Sequence, residues 1–181
     1  MPFAAVLLFT IVQPLLVAPA AEEDAERDGG KVAGILIDKK DDWITVKADG
    51  EDEPVKYVVA KDSGKSLVTA LKTIFNASRV QLTYKKDEDS RKLVSIKKQV
   101  LRASGVVTGV VVRVYDDFWI EVKPKGGLSD AYAPNAINYK NKDFMAKLKG
   151  LKQGDLVTIT FNTDFERHRI LTLRTTDNKD R

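Results

Sequence analysis

Cysteine is missing from the 181-residue sequence, and histidine occurs only once. The absence of cysteine excludes disulfide bonds, thiolate zinc sites, a cysteine nucleophile and a lipid-modified cysteine. In an oxidising export compartment the fold of such a chain is therefore held by the packing of its core, without covalent cross-links.

The single histidine, His168, lies in the segment ERHRIL, which the alternation of apolar residues predicts as the start of the last strand. A serine–histidine–acid arrangement built on it needs an imidazole that accepts a proton. The positive charges of Arg167 and Arg169 disfavour that protonated form. We therefore predict that His168 lies on an exposed surface and that the chain is not an enzyme. A hydrolytic enzyme is the minor alternative.

Motifs for metal and phosphate binding are also incomplete. The aspartate pairs 41–42 and 116–117 lack the alternating acids, central glycine and distal glutamate of a calcium loop, and they suit hairpin turns. The segment Gly64-Lys65-Ser66 has Val59 where a phosphate-binding loop requires a further glycine. The sequence predicts neither a metal site nor a cofactor.

A long apolar run occurs only in the first 20 residues, which carry no charge and end in Ala18-Pro19-Ala20. This pattern is typical of a secretory signal that is cleaved before Ala21. The alternative is a retained anchor, but the run barely reaches the length of a span and contains three prolines and Gln13. We expect a secreted or periplasmic protein with no membrane span in the mature chain.

Charge is distributed unevenly, although the net charge is only +4. Residues 21–30 carry five acidic residues and one basic residue and are predicted to be a solvated linker. The segments 31–98 and 99–181 each have a surplus of four basic residues. Two mildly basic halves are compatible with a polyanionic partner, and lysines that protect strand edges explain the same charges.

The two halves repeat one pattern. The segment GILIDKKDDWITVK at 34–47 matches GVVVRVYDDFWIEVK at 109–123 with one inserted residue, Phe118. Residues 66–97 match 143–174 without a gap, at a constant offset of 77, and the apolar positions coincide. The sequence therefore predicts an internal duplication.

The pattern of each unit predicts three strands, a helix and two further strands. This is the order of an OB-like five-stranded barrel. Ser63 or Ser66 is the predicted N-cap of the first helix, and Asp143 that of the second helix, which is expected over 143–151. The fold class is mainly β, with two tandem OB-like barrels that each have one short helix before strand 4. The predicted boundaries are a signal at 1–20, a linker at 21–30, barrels at 31–101 and 102–176, and a polar tail at 177–181.

The pattern G-x-V-x-G…WIxVK-A-DG, the short helix and the strand GDLVTITF resemble a group of secreted bacterial proteins of planctomycete-like genomes. The resemblance covers residues 31–174 and consists of structural glycines and core apolar positions. It implies a fold and an exported location, and it implies no catalytic residue. The second unit departs from the pattern after Lys123, where its third strand includes Pro134.

A candidate ligand face lies on the repeated strand. Alternation places Ile44 and Val46 on one face of that strand and Trp43 and Lys47 on the other. Strands 2 and 3 are the surface on which OB barrels bind oligonucleotides and sugars, and aromatic stacking beside a cation suits such ligands. The predicted ligand-binding residues are Trp43, Lys47, Tyr57, Trp119, Lys123 and Tyr132.

The alternative for the tryptophans is structural, because a large aromatic side chain can seal the junction between two small barrels. Under this alternative Trp43 is the expected seal, and Trp119 is expected to be exposed because Phe118 supplies local packing. The leading functional interpretation is an exported, non-catalytic protein that binds or organises another envelope protein or an extracellular molecule. The other interpretation is a binder of polyanions or single-stranded nucleic acid.

Overall fold

A computed structural model describes residues 29–99, 101–116, 118–164 and 167–176. The predicted signal at 1–20, residues 21–28 of the predicted linker, Asp117 and the predicted tail at 177–181 lie outside the described residues.

The first half of the chain forms a closed five-stranded barrel in the order β1-β2-β3-β5-β4. Alternating apolar residues produce its strands because successive side chains point to opposite faces. Its elements are β1 (Gly30–Lys39), β2 (Trp43–Ala48), β3 (Val55–Val58), α1 (Lys65–Thr73), β4 (Arg79–Asp87) and β5 (Ser90–Lys98). We call this unit barrel 1.

The second half forms barrel 2, a closed barrel in the order β6-β7-β8-β10-β9. Its elements are β6 (Ser104–Val114), β7 (Ile120–Pro124), β8 (Asp130–Pro134), α2 (Ala136–Lys140), α3 (Lys142–Gly150), β9 (Leu156–Asp164) and β10 (Arg167–Thr176). Both barrels close through a parallel pair, β3 with β5 and β8 with β10. The prediction of a mainly β fold with five-stranded barrels is confirmed, and the duplication and the domain boundaries stay predictions.

Corresponding elements occupy the same places in the two barrels. Helices α1 and α3 begin 77 residues apart, as do β4 and β9. Leu71 and Leu148 are buried in the two separate barrel cores. Strands β1 and β6 each shift register at one residue, Ile37 and Val112, where each is paired with the following strand. These correspondences allow the two barrels to be compared position by position.

The helices differ from the predictions in number and in capping. Barrel 2 has two short helices before its fourth strand, because α2 precedes α3. Helix α3 is capped by Asn141, whose side-chain oxygen accepts hydrogen bonds from the amides of Asp143 and Phe144 at 3.0 and 3.1 Å. Asp143 is therefore not the cap. Helix α1 follows Gly64 without a side-chain cap, so neither predicted serine caps it.

Among the residues that the structure describes, no helix has the length and apolar character needed to cross a membrane.

Candidate functional site

The two tryptophans occupy the same position, immediately before the isoleucine that pairs with a tyrosine of the third strand. Ile44 pairs with Tyr57 in barrel 1, and Ile120 pairs with Tyr132 in barrel 2. Both isoleucines are fully buried. Alternation therefore directs both tryptophans to the outside of their barrels. What covers each one from outside differs.

Trp119 is covered by barrel 1. Its indole is 2% exposed and stacks on Tyr115, with ring centroids 3.6 Å apart and an interplanar angle of 8°. The expectation that Trp119 is the exposed tryptophan is wrong, because strand β1 packs over it. The apolar seam between the barrels consists of Ile35, Ile37, Ala77, Tyr115, Trp119, Ala131 and Ala133.

A buried ion pair crosses the same seam. Lys47 Nζ lies 2.7 Å from Glu121 Oε1, and the two side chains are 7% and 0% exposed. The hydroxyl of Tyr115 donates to Glu121 Oε2 at 3.3 Å. Burial, and then the charge of Glu121, raise the pKa of Tyr115. Lys47 was predicted to contact a ligand, but the ion pair places it inside the seam.

Further polar contacts join the barrels at the border of the seam. Arg79 donates to the carbonyl oxygen of Ser129 at 3.1 Å and also pairs with Asp49 of its own barrel. Arg113 of barrel 2 lies 3.5 Å from the carboxylate of Glu53. An apolar centre with polar contacts at its edge is the usual anatomy of a specific interface.

Trp43 has a different environment. It is partly buried, and two ammonium groups lie over its ring, that of Lys40 at 5.3 Å and that of Lys56 at 5.0 Å from the ring centroid. Lys40 precedes β2, and Lys56 lies on β3 opposite Thr45. Both lysines are exposed. We call Trp43, Lys40 and Lys56 the Trp43 face.

The sequence prediction omitted Lys40 and Lys56 and included two tyrosines that point inwards. Tyr57 and Tyr132 are 0% and 4% exposed and belong to the two barrel cores. Burial is the largest influence on both groups and raises their pKa values. These two residues were predicted to extend an outer platform, but the phase of the third strand places Lys56 outside in place of Tyr57.

The second lysine of the prediction, Lys123, is exposed, but it lies away from the Trp43 face. It lines a groove of barrel 2 with a volume of about 730 Å³, together with residues of β6 and β7 and of the segment before β9. The six predicted ligand residues are therefore not brought together. One of them, Trp43, remains on an open surface with cations at its ring.

His168 is buried, which contradicts the surface position predicted for it. Its Nε2 lies 3.1 Å from Asp130 Oδ2, and its Nδ1 lies 3.0 Å from the hydroxyl oxygen of Thr163. Thr163 Oγ1 also donates to the carbonyl oxygen of Arg102. The imidazole stacks on Tyr132. This chain of hydrogen bonds links β8, β9, β10 and the segment between the barrels, and the prediction failed because Asp130 is distant in sequence.

Within the described ranges, no group of three or more histidine and acidic residues is arranged to hold a metal ion.

Comparison with known proteins shows a distant likeness to solved structures. No protein-family model matches the chain, and no curated protein matches it significantly. A solved structure of a multidomain protein with nucleic acid binding domains from Streptococcus pneumoniae TIGR4 is 18% identical, with a TM-score of 0.27. The match covers 83% of this chain and 46% of that one, so this chain spans less than half the length of that protein.

Proposed function

We propose that this chain is a non-catalytic binding protein, with two OB-like barrels, whose Trp43 face binds a single-stranded polyanion, with single-stranded nucleic acid as the preferred ligand. The observation that carries the proposal is the pair of lysine ammonium groups within 5.3 Å of the Trp43 ring centroid. An aromatic face beside exposed cations is the combination that proteins commonly use for such ligands.

The position of this face in the barrel supports the same function. Trp43 is on the second strand, Lys56 is on the third strand, and Lys40 lies in the connection between the first and second strands. In OB barrels these strands and the connecting loops contact oligonucleotides and oligosaccharides. A base that stacks on the indole leaves each ammonium group, on its flexible stem, free to reach a phosphate.

Only barrel 1 is proposed to bind in this way. In barrel 2 the corresponding tryptophan is enclosed by the seam, and Glu121 takes the position of Thr45. A carboxylate at that position repels phosphate. One stacking residue for each chain gives a short binding site, so we expect modest affinity and a strong dependence on salt.

The exported location belongs to the proposal and rests on the pattern of residues 1–20. An exported binder meets extracellular nucleic acid and acidic polysaccharides, and the flat ring of Trp43 favours a ligand with stacking bases. The experiment below distinguishes these two ligands.

The test is a titration of the full chain with a single-stranded oligothymidylate, followed by tryptophan fluorescence and by anisotropy of a labelled oligonucleotide. We expect Trp43→Ala to weaken binding by about 5- to 150-fold, the equivalent of about 1–3 kcal/mol for one stacked base. Lys56→Ala weakens binding and lowers the slope of log K against log salt by about one. The control is Lys97→Ala, which removes an exposed lysine of β5 and should leave the affinity nearly unchanged.

Unchanged affinity in Trp43→Ala would refute the Trp43 face as the binding site. Polygalacturonate serves as the second probe, because it carries carboxylates without bases. Binding of polygalacturonate with no binding of the oligonucleotide would replace nucleic acid by an acidic polysaccharide. Absence of binding to both probes at low salt would refute the function.

A further inference from the structure

The seam joins two unlike surfaces. Barrel 1 contributes Ile35 of β1 and Lys47 of β2, and barrel 2 contributes Trp119 and Glu121 from the outer side of its own second strand. This contact is heterologous, because a surface of one unit meets a different surface of the next unit. Each barrel therefore has a second surface that the seam leaves open.

The open surface of barrel 2 is the counterpart of the one that barrel 1 uses in the seam. Val110 pairs with Lys123, as Ile35 pairs with Lys47. The amide of Val111 donates to the carbonyl of Asp155, as that of Leu36 donates to Ser78. In barrel 1, the carbonyl oxygen of Asn76 also faces barrel 2 and accepts a hydrogen bond from Arg167 at 3.3 Å. Six residues that line the groove of barrel 2 thus replace six residues through which barrel 1 contacts barrel 2: Val110 for Ile35, Val112 for Ile37, Lys123 for Lys47, Gln153 for Asn76, Gly154 for Ala77 and Leu156 for Arg79.

This groove is apolar and cationic. Val110 is 43% exposed, whereas Ile35 at the corresponding seam position is 2% exposed. Lys123 and Lys125 line the groove, and no acidic residue of the described part of the chain does. Lys125 stands where barrel 1 has Asp49, so an acidic residue of the corresponding seam surface is replaced by a base. An exposed apolar surface lined by two cations is suited to a partner that supplies an aromatic ring and a carboxylate.

We propose that the groove of barrel 2 docks a partner protein through a strand that carries an aromatic residue and a carboxylate two residues apart, as Trp119 and Glu121 are spaced in the seam. The carboxylate pairs with Lys123, and the aromatic ring packs on Val110 and the backbone at Gly154. This surface is separate from the Trp43 face, and its occupant is independent of the proposed function.

A second copy of this chain does not fit the groove. On the corresponding surface of barrel 1, Lys40 replaces Tyr115, Thr45 replaces Glu121 and Lys56 replaces Ala131. Docking of that surface would bring the two lysines towards Lys123, and Thr45 supplies no carboxylate at the position where Glu121 pairs with Lys47 in the seam. Unfavourable placement of like charges is a common device for rejecting a wrong partner.

The experiment uses a variant of this chain in place of the partner protein. The probe is the full chain with Lys40→Tyr, Thr45→Glu and Lys56→Ala, which recreates the seam surface on barrel 1. It also carries Lys123→Glu, so that it cannot bind itself. A simpler probe with only Thr45→Glu and Lys123→Glu is used if the first does not fold by circular dichroism. Each probe is titrated against the wild-type chain by calorimetry.

We expect a 1:1 complex between probe and wild-type chain that weakens as salt is raised. Lys123→Glu in the wild-type partner should reduce the affinity at least tenfold, and the matched control Lys97→Glu should change it less than twofold. A folded probe that does not bind, or that binds the Lys123→Glu partner equally well, would overturn the proposal.

A second measurement uses the first three probe substitutions with Lys123 retained. This variant has both complementary surfaces on one molecule, so it should form open chains whose mean mass rises with concentration in sedimentation experiments. The wild-type chain should show no such growth under the same conditions. Growth of the wild-type chain to the same extent would show that a second copy is the occupant and would refute the proposed chemistry.

Discussion

The same residue type has opposite roles in the two barrels, and the neighbours of each tryptophan decide which. Trp119 is stacked on Tyr115 and enclosed by barrel 1, whereas Trp43 has two exposed lysines at its ring. We expect Trp119→Ala to lower the free energy of unfolding by about 3–5 kcal/mol, the range for a buried large aromatic residue. Trp43→Ala should lower the free energy of unfolding by clearly less. Urea unfolding of both variants measures the difference, and equal losses would contradict these environments.

The ion pair between Lys47 and Glu121 is the second residue-scale feature with a measurable consequence. Lys47→Met or Glu121→Leu alone leaves a buried charge without its partner. Each substitution should lower the free energy of unfolding by about 3–5 kcal/mol. The double variant should lose much less free energy of unfolding than the two single variants lose in sum, because it removes both charges together. A double-mutant cycle from urea unfolding measures this coupling.

Additive losses in that cycle would show that the pair does not interact in solution. The exposed pair of Lys92 and Asp87 supplies the control. Lys92→Met should change stability little, because solvent screens that contact.

The sequence predicted which side of β2 faces the core, but it did not predict which outer residues face solvent. Ile44 and Val46 are buried as the alternation requires. The burial of Lys47 depends on Glu121, which lies 74 residues away along the chain. Tyr57 was assigned to the wrong face because β3 is only four residues long, and so short a strand does not reveal its phase.

At the scale of elements, a glycine of each barrel allows the first two strands to cross closely. A Cβ at Gly34 would overlap the carbonyl oxygen of Lys47, and one at Gly109 would lie 2.6 Å from that of Lys123. We expect Gly34→Ala and Gly109→Ala each to lower the free energy of unfolding by about 1–3 kcal/mol, as overpacking does. Gly150→Ala is the control, because a Cβ added at Gly150, at the end of α3, would have no atom of the described residues within 4 Å.

Thermal unfolding followed by circular dichroism checks this expectation. Gly150→Ala should be neutral or slightly stabilising, because alanine is the better helix former. If the two strand variants were as stable as Gly150→Ala, the close approach of the strands would be contradicted.

Elements were predicted well where a long periodic pattern defines them and less well at their ends. The order of the strands and the positions of α1 and α3 follow from the change between alternation and helical spacing, whereas the short α2 was not predicted. The cap at Asn141 was missed because the helix was predicted to begin at Asp143, and α2, which ends one residue before the cap at Lys140, was not predicted. The choice of a cap depends on backbone geometry at a single residue.

At the scale of the whole molecule, stability should fall in alkaline solution. The pKa of Tyr115 at the seam and that of Tyr132 in the core of barrel 2 are raised, mainly by burial. A raised folded pKa contributes stability that is fully present below the unfolded value of about 10 and is lost as the pH rises beyond it. Urea unfolding between pH 8 and pH 11 should therefore show a decreasing free energy of unfolding.

Tyr115→Phe isolates the contribution of the seam. This variant should lose less stability between pH 8 and pH 11 than the wild-type chain, because it has no hydroxyl to ionise there. An equal alkaline loss in both proteins would show that the Tyr115 hydroxyl does not contribute.

The seam also gives the molecule a direction. Because the contact joins unlike surfaces, a further unit placed between the two barrels would find a matching surface on each side, provided that it carried the lysine of one and the glutamate of the other. An array of this kind can be lengthened by inserting further barrels between the first and the last, and the outer surfaces of those two terminal barrels stay the same. The lysines around Trp43 then act as a terminator at the first unit, as polar outer surfaces do in solenoid proteins. A longer relative would be expected to keep those terminal lysines and to repeat the buried pair at every internal junction.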